Sequence, residues 1–133
     1  MVRAAVALKQ GEPAKAIELL QTSVPYELGT PRSALQGYLG ALYPIFVRGQ
    51  AYLAARRGPE AVTEFQKILD RRRTIVGDPV VVLAHLQLGR APLLSEDKVQ
   101  AKSAYQDFLV LWRNADIDIP IYKEARREYA SLP

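Results

Sequence analysis

One pattern, stated twice, constrains this chain more than any other feature. The stretches "RGQAYLAARRGPEAVTEFQKIL", from Arg48, and "LGRAPLLSEDKVQAKSAYQDFL", from Leu88, share four spaced residues. Each sets a Gly, a bulky or ring residue three on, an Ala twelve on and an aromatic sixteen on: Gly49, Tyr52, Ala61 and Phe65, then Gly89, Pro92, Ala101 and Tyr105. Apolar residues recur at one-turn spacing in both, as Ala61, Val62, Phe65, Ile68 and Leu69 and as Ala101, Ala104, Tyr105, Phe108, Leu109 and Trp112. That is the period of amphipathic helices. A helical hairpin cannot bury its apolar face alone, so it stacks on copies of itself, with small residues where helices cross closely and aromatics where they interlock. Gly49 and Gly89 are therefore expected at close crossings, Ala61 and Ala101 where the second helix meets the first, and Phe65 and Tyr105 in the space between hairpins. A truncated copy stands at the front, where Ala16 and Leu20 match the second-helix pair and Ala7-Leu8 the end of a first helix. That first helix would begin before Met1, as in a piece of a longer array.

Proline marks helix starts because its fixed φ and missing N–H suit the first helical position, and here the candidates are Pro13, Pro44, Pro59, Pro79 and Pro120. Asp78 is a natural N-cap before Pro79, and Ser95 with Glu96 and Asp97 places a cap and two anions at another start. The sequence predicts helices over 2–10, 13–23, 44–57, 59–73, 79–94, 96–114 and 120–131. As one domain over 1–133, these group into a partial repeat (2–24), an extended connection (25–42), repeats over 43–73 and 79–114, and a polar-backed capping helix (120–131). Pro92 removes the N–H that would bond Leu88, so the helix beginning at 79 should kink or end early.

Composition narrows the chemistry. A chain of 133 residues, 49% apolar and 24% charged, is ordinary globular material with enough length for a core. Its longest apolar run, Val80 to Leu88, is interrupted by His85 and Gln87 and falls far short of the ~20 residues that cross a bilayer. With no cysteine and one His, thiolate chemistry is excluded and no metal or other cofactor is expected. His85 has no nucleophile paired to it in the sequence and reads as a core residue. Asp116 and Asp118 read as a turn before the last helix, so the chain is not expected to be an enzyme. The net charge of +4 invites nucleic-acid binding, above all through Arg71, Arg72 and Arg73. The basic clumps, however, fall near predicted helix ends, where cations complement the helix dipole.

In its Gly, Tyr, Ala and Phe at these offsets, the chain resembles the tetratricopeptide repeat family. The resemblance implies an all-α superhelix of six or seven stacked helices that binds a protein or peptide without catalysis. Successive second-helix alanines stand 45 and 40 residues apart (16 to 61, 61 to 101) against ~34 in the plain repeat, so the linkers are extended. In that family the first helix of each hairpin lines the concave face, which would comprise Tyr43, Phe46, Val47, Gln50 and Leu53, then Leu83, Leu86, Gln87, Arg90 and Leu93. An extended or helical peptide would be gripped by Tyr43, Phe46 and Leu86, with Gln50, Gln87 and Arg90 setting register. The runs "LYPIFVRGQAYLA", "EFQKILD", "LAHLQLGRA", "AYQDFLVLW" and "DIDIPIYKEAR" also resemble the C-terminal repeat region of bacterial serine/threonine protein kinases of the eukaryotic-like type. This implies a scaffold beside a signalling domain, cytoplasmic, or periplasmic if a membrane span lies upstream. Self-association through the ends of the stack is the competing expectation.

Overall fold

The computed structural model describes residues 1–27, 37–71 and 78–133. Seven helices run through them: α1 (Val2–Lys9), α2 (Pro13–Gln21), α3 (Gly37–Ala54), α4 (Gly58–Asp70), α5 (Pro79–Arg90), α6 (Lys98–Leu111) and α7 (Pro120–Ala130). Short 3-10 turns follow α2 and α5 at Val24–Tyr26 and Pro92–Ser95. The protein is all-helical, with no strand among the described residues. Of the expected connection over 25–42, residues 28–36 lie outside the described set, as do Arg72 and Arg73.

Proline opens α2, α4, α5 and α7 within their first two positions, as the sequence implies. Pro44 is the exception. It lies inside α3, which starts at Gly37, so the expected start at 44 is corrected. An interior proline deletes one backbone hydrogen bond and crowds the preceding turn, at about 3 kcal/mol, and the burial of Leu42, Ile45 and Phe46 on α3 offsets that loss. The Asp78 carboxylate accepts the N–H of Val80 at 2.9 Å, the expected cap. α5 ends at Arg90, two residues short of Pro92, and the 3-10 turn that follows takes up Ser95. Glu96 then turns through a left-handed φ of 59°, and Asp97, not Ser95, caps α6 by accepting the N–H of Gln100 at 3.0 Å.

Neighbouring helices pack in chain order: α1 on α2, α3 on α4, α5 on α6, with α2 on α3, α4 on α5 and α6 on α7 between them. The first helices also touch, α1 against α3 and α3 against α5. Three apolar clusters result. Ala4, Ala7, Ala16, Leu20 and Ala51 join α1, α2 and α3; a middle cluster around Ile45, Phe65, Ile68, Ala84 and Leu88 joins α3, α4 and α5; Leu86, Tyr105, Phe108 and Ala125 join α5, α6 and α7.

The twice-stated pattern has a direct physical counterpart. A methyl group added to Gly49 would lie 2.7 Å from the ring of Phe65, and one added to Gly89 would lie 2.7 Å from the ring of Tyr105. Real Cβ atoms do not approach so closely, so in each hairpin the glycine is the seat of the aromatic sixteen residues later. The expectation that these rings sit between hairpins is thereby sharpened: each lies against its own first helix, and Phe65 shares the middle cluster with Val80, Ala84 and Leu88 of α5. In the partial repeat the same offset pairs Ala4 with Leu20, both fully buried in one cluster. A larger small residue there shares its cluster with a smaller large one. Gly58 makes the join between hairpins, since a Cβ on it would lie 2.8 Å from the carbonyl oxygen of Ala91.

Candidate functional site

The first helices α1, α3 and α5 lie side by side, so the residues expected to form a binding face are on adjacent elements. Their exposure differs widely. Tyr43 is 39% exposed, while Phe46 is 8% exposed and meets Phe65 edge to face at 5.7 Å. Val47 packs with the α1/α2/α3 cluster, and Leu53 and Leu83 pack on the middle cluster, all three half-buried; Gln50 is half-buried too. Leu86 is 0% exposed in the cluster beneath α7, Gln87 is 7% exposed, and Leu93 is half-buried against the same cluster. Leu86 and Phe46 are therefore core residues and not grips, which corrects the expectation for those two. A helix face that stacks on its neighbours spends its largest apolar side chains on the stack.

Arg90 is also committed. Its Nε and Nη2 donate to the two carboxylate oxygens of Glu128 on α7 at 3.0 and 2.7 Å, and Nη2 lies 3.0 Å from Glu124. The hydroxyl of Tyr105 donates to the same Glu128 carboxylate. Burial works to raise the Glu128 pKa, but the bonds from Arg90 and Tyr105 and the Arg90 charge outweigh it and hold it below the usual carboxylate value. Burial and the negative neighbour together push the Tyr105 phenol well above its ordinary range. Of the three residues expected to set peptide register, Arg90 thus serves to dock the last helix, Gln87 is buried and Gln50 is half-buried.

A second polar centre went unrecognised in the sequence. Arg48 is 1% exposed, and its guanidinium donates to both oxygens of Glu27 at 2.6 Å each and to Glu64 at 2.6 Å. It also reaches the carbonyl of Leu20 at 3.3 Å. Lys67 donates to the other oxygen of Glu64 at 2.7 Å, and the Ser23 hydroxyl donates to Glu27. Burial opposes ionisation at both Arg48 and Glu27. The mutual hydrogen bonds and charges prevail, raising the Arg48 pKa and lowering that of Glu27. The signal was present: Arg48 is the lone charge in "ALYPIFVRGQAYLA", and Glu64 follows it by the same sixteen residues that separate Gly49 from Phe65. Glu27, carried past the end of α2, had no such register to betray it.

The remaining candidates fall into place singly. His85 is 8% exposed on α5 and faces a hollow of about 270 Å³ with Asp107, Val110 and Leu111. Asp116 accepts the N–H of Asp118 at 2.9 Å in the expected turn, and Asp118 pairs with Lys123 at 2.7 Å. Arg57 is the residue just before α4, pairing with Glu60 at 2.7 Å and lying over the Tyr52 ring at 4.9 Å. None of the helices is long and apolar enough among the described residues to cross a membrane. No family model matches the chain, and neither any curated protein nor any solved structure matches it.

Proposed function

We propose that the chain is a tetratricopeptide-like scaffold module, without catalytic activity, that binds an extended or helical peptide of a protein partner along its first helices. Within this reading the parent is a signalling protein such as a bacterial serine/threonine kinase. The observation that carries it is the lock of Gly49 on Phe65 and Gly89 on Tyr105 at one offset, supported by the lateral contact of α1, α3 and α5. The grip then falls to Tyr43, with half-buried Val47, Gln50, Leu53 and Leu83 around it. An amphipathic ring open to solvent at one end suits an anchor role.

Selection from a random displayed peptide library against the intact chain tests the proposal. Enriched peptides should carry apolar anchors, keep their affinity at moderate salt, and bind about tenfold more weakly to Tyr43→Ala, as hot-spot aromatics do. Peptides that bind Tyr43→Ala and Leu83→Ser as well as the parent chain would sink it. An acidic chaperone-type tail should not bind along the first helices, because Arg90, the cation it would need there, is held by Glu128 and Glu124.

A further inference from the structure

The sequence of α7 from Lys123 to Glu128, "KEARRE", mixes both signs of charge, and the fold sorts them. Glu124 and Glu128 turn toward Arg90, and Glu128 also receives the Tyr105 hydroxyl. Lys123, Arg126 and Arg127 stay exposed and, with Ala130, line a shallow hollow of about 340 Å³. On α6, Lys98 and Lys102 line a second hollow of about 460 Å³ with Ser103, Gln106 and Pro133. The two helices are tied here by Gln106, whose amide donates to the Tyr129 hydroxyl at 2.9 Å. Ala130 on one hollow and Pro133 on the other bring both to the end of α7. Lys123 has Asp118 as a partner; among the described residues Lys98, Lys102, Arg126 and Arg127 have no carboxylate within ion-pair distance.

We propose that this basic face of α6 and α7 is a docking surface for an acidic, Glu- or Asp-rich segment of a protein partner. Charge complementarity selects the occupant, since unpaired cations gathered on one face attract and orient a polyanion. Peptide rather than nucleic acid follows from the rings. Tyr122 lies between the Arg126 guanidinium at 5.9 Å and the Trp112 ring at 6.4 Å, and the Tyr129 ring packs against Tyr105 at 6.4 Å, so both rings are spent within the fold rather than on a stacking platform for bases. The Ser103 hydroxyl and Gln106 amide add neutral donors suited to carboxylates. The pairing of Asp118 with Lys123 is an internal instance of the contact the partner would make. The surface is separate from the first-helix face, so Tyr43→Ala leaves it intact.

Fluorescence anisotropy of a labelled short polyglutamate with the intact chain tests the proposal. Binding at low salt should weaken about tenfold in Arg126→Glu/Arg127→Glu and in Lys98→Glu/Lys102→Glu, whereas Arg3→Glu/Lys9→Glu on α1, with the same change in net charge, should stay within about twofold. Moderate salt should weaken it further. If charge reversal unfolds α7, Arg126→Gln/Arg127→Gln carries the same comparison with a smaller loss. Absence of polyglutamate binding at low salt, or an equal loss in the α1 control, would overturn the surface. Tighter binding of an oligothymidylate of equal charge through the same residues would overturn the acidic-peptide assignment in favour of nucleic acid.

Discussion

The two full hairpins, α3/α4 and α5/α6, are alike in their apolar lock and opposite in their polar anchors. Each seats a ring on a glycine, Phe65 on Gly49 and Tyr105 on Gly89. One residue earlier in register, the first hairpin has buried Arg48 with Glu64, while the second has Leu88 with Ala104 in the middle cluster. One residue later, the first has Gln50 and the second has Arg90 bound to Glu128. The polar residues therefore do not make the repeat; they decide what docks on it. Arg48 ties the chain after α2, through Glu27, into the stack, and Arg90 ties α7 onto its other end. One anchor is sealed from water, and the other stays partly wet, with Arg90 28% and Glu128 30% exposed.

That comparison can be broken most forcefully at Arg48. Replacing Arg48 with Leu should cost about 3–5 kcal/mol in denaturant unfolding, because Glu27 and Glu64 lose the charge that compensates their burial. The double variant Arg48→Leu/Glu64→Ala, which copies Leu88 and Ala104, should recover part of that loss, the remainder resting on Glu27. A double variant no better than the single one would show that the two hairpins are not interchangeable at this pair.

Next in size are the glycine seats. Gly49→Ala and Gly89→Ala should each cost about 1–3 kcal/mol by overpacking. A smaller partner, Phe65→Leu or Tyr105→Leu, should couple favourably with the alanine, the combination that Ala4 and Leu20 present at the same offset in α1 and α2. Strict additivity in both cycles would dissolve the shared lock.

The smallest effect is expected at the wet anchor, where Glu128→Gln should cost about 1 kcal/mol because solvent screens the pair. Its pH dependence has a definite sign. The folded-state pKa values of Glu27 and Glu128 are lowered, so their stabilisation is present above the ordinary glutamate value and is lost as pH falls through the folded values. That of Tyr105 is raised, so its contribution is present below the ordinary phenol value and is lost as pH rises past it. The melting temperature should hold through neutrality and fall below about pH 4 and above about pH 10, with Glu128→Gln blunting both limbs. A pH profile unchanged by that variant would contradict the assigned network.

Local rules determined what depends on neighbours in the chain. The helical period, the prolines of α2, α4, α5 and α7, the Asp78 cap and the early end of α5 before Pro92 each follow from φ, a missing N–H or one turn of apolar spacing. The glycine and aromatic at a fixed offset were equally legible, because a hairpin converts sequence separation into contact. Pro44 misled because its penalty of about 3 kcal/mol, from a lost hydrogen bond and crowding of the preceding turn, is offset by the packing of Leu42, Ile45 and Phe46 on the same helix. Only the tertiary structure decided which polar groups would be desolvated together. Glu27 reaches Arg48, and Glu128 reaches Arg90, across 21 and 38 residues, distances at which no periodicity carries information. For the same reason Leu86 and Phe46 could not be told from groove residues. Their helical positions fix a direction, but whether α7 or Phe65 fills that direction depends on how the hairpins stack.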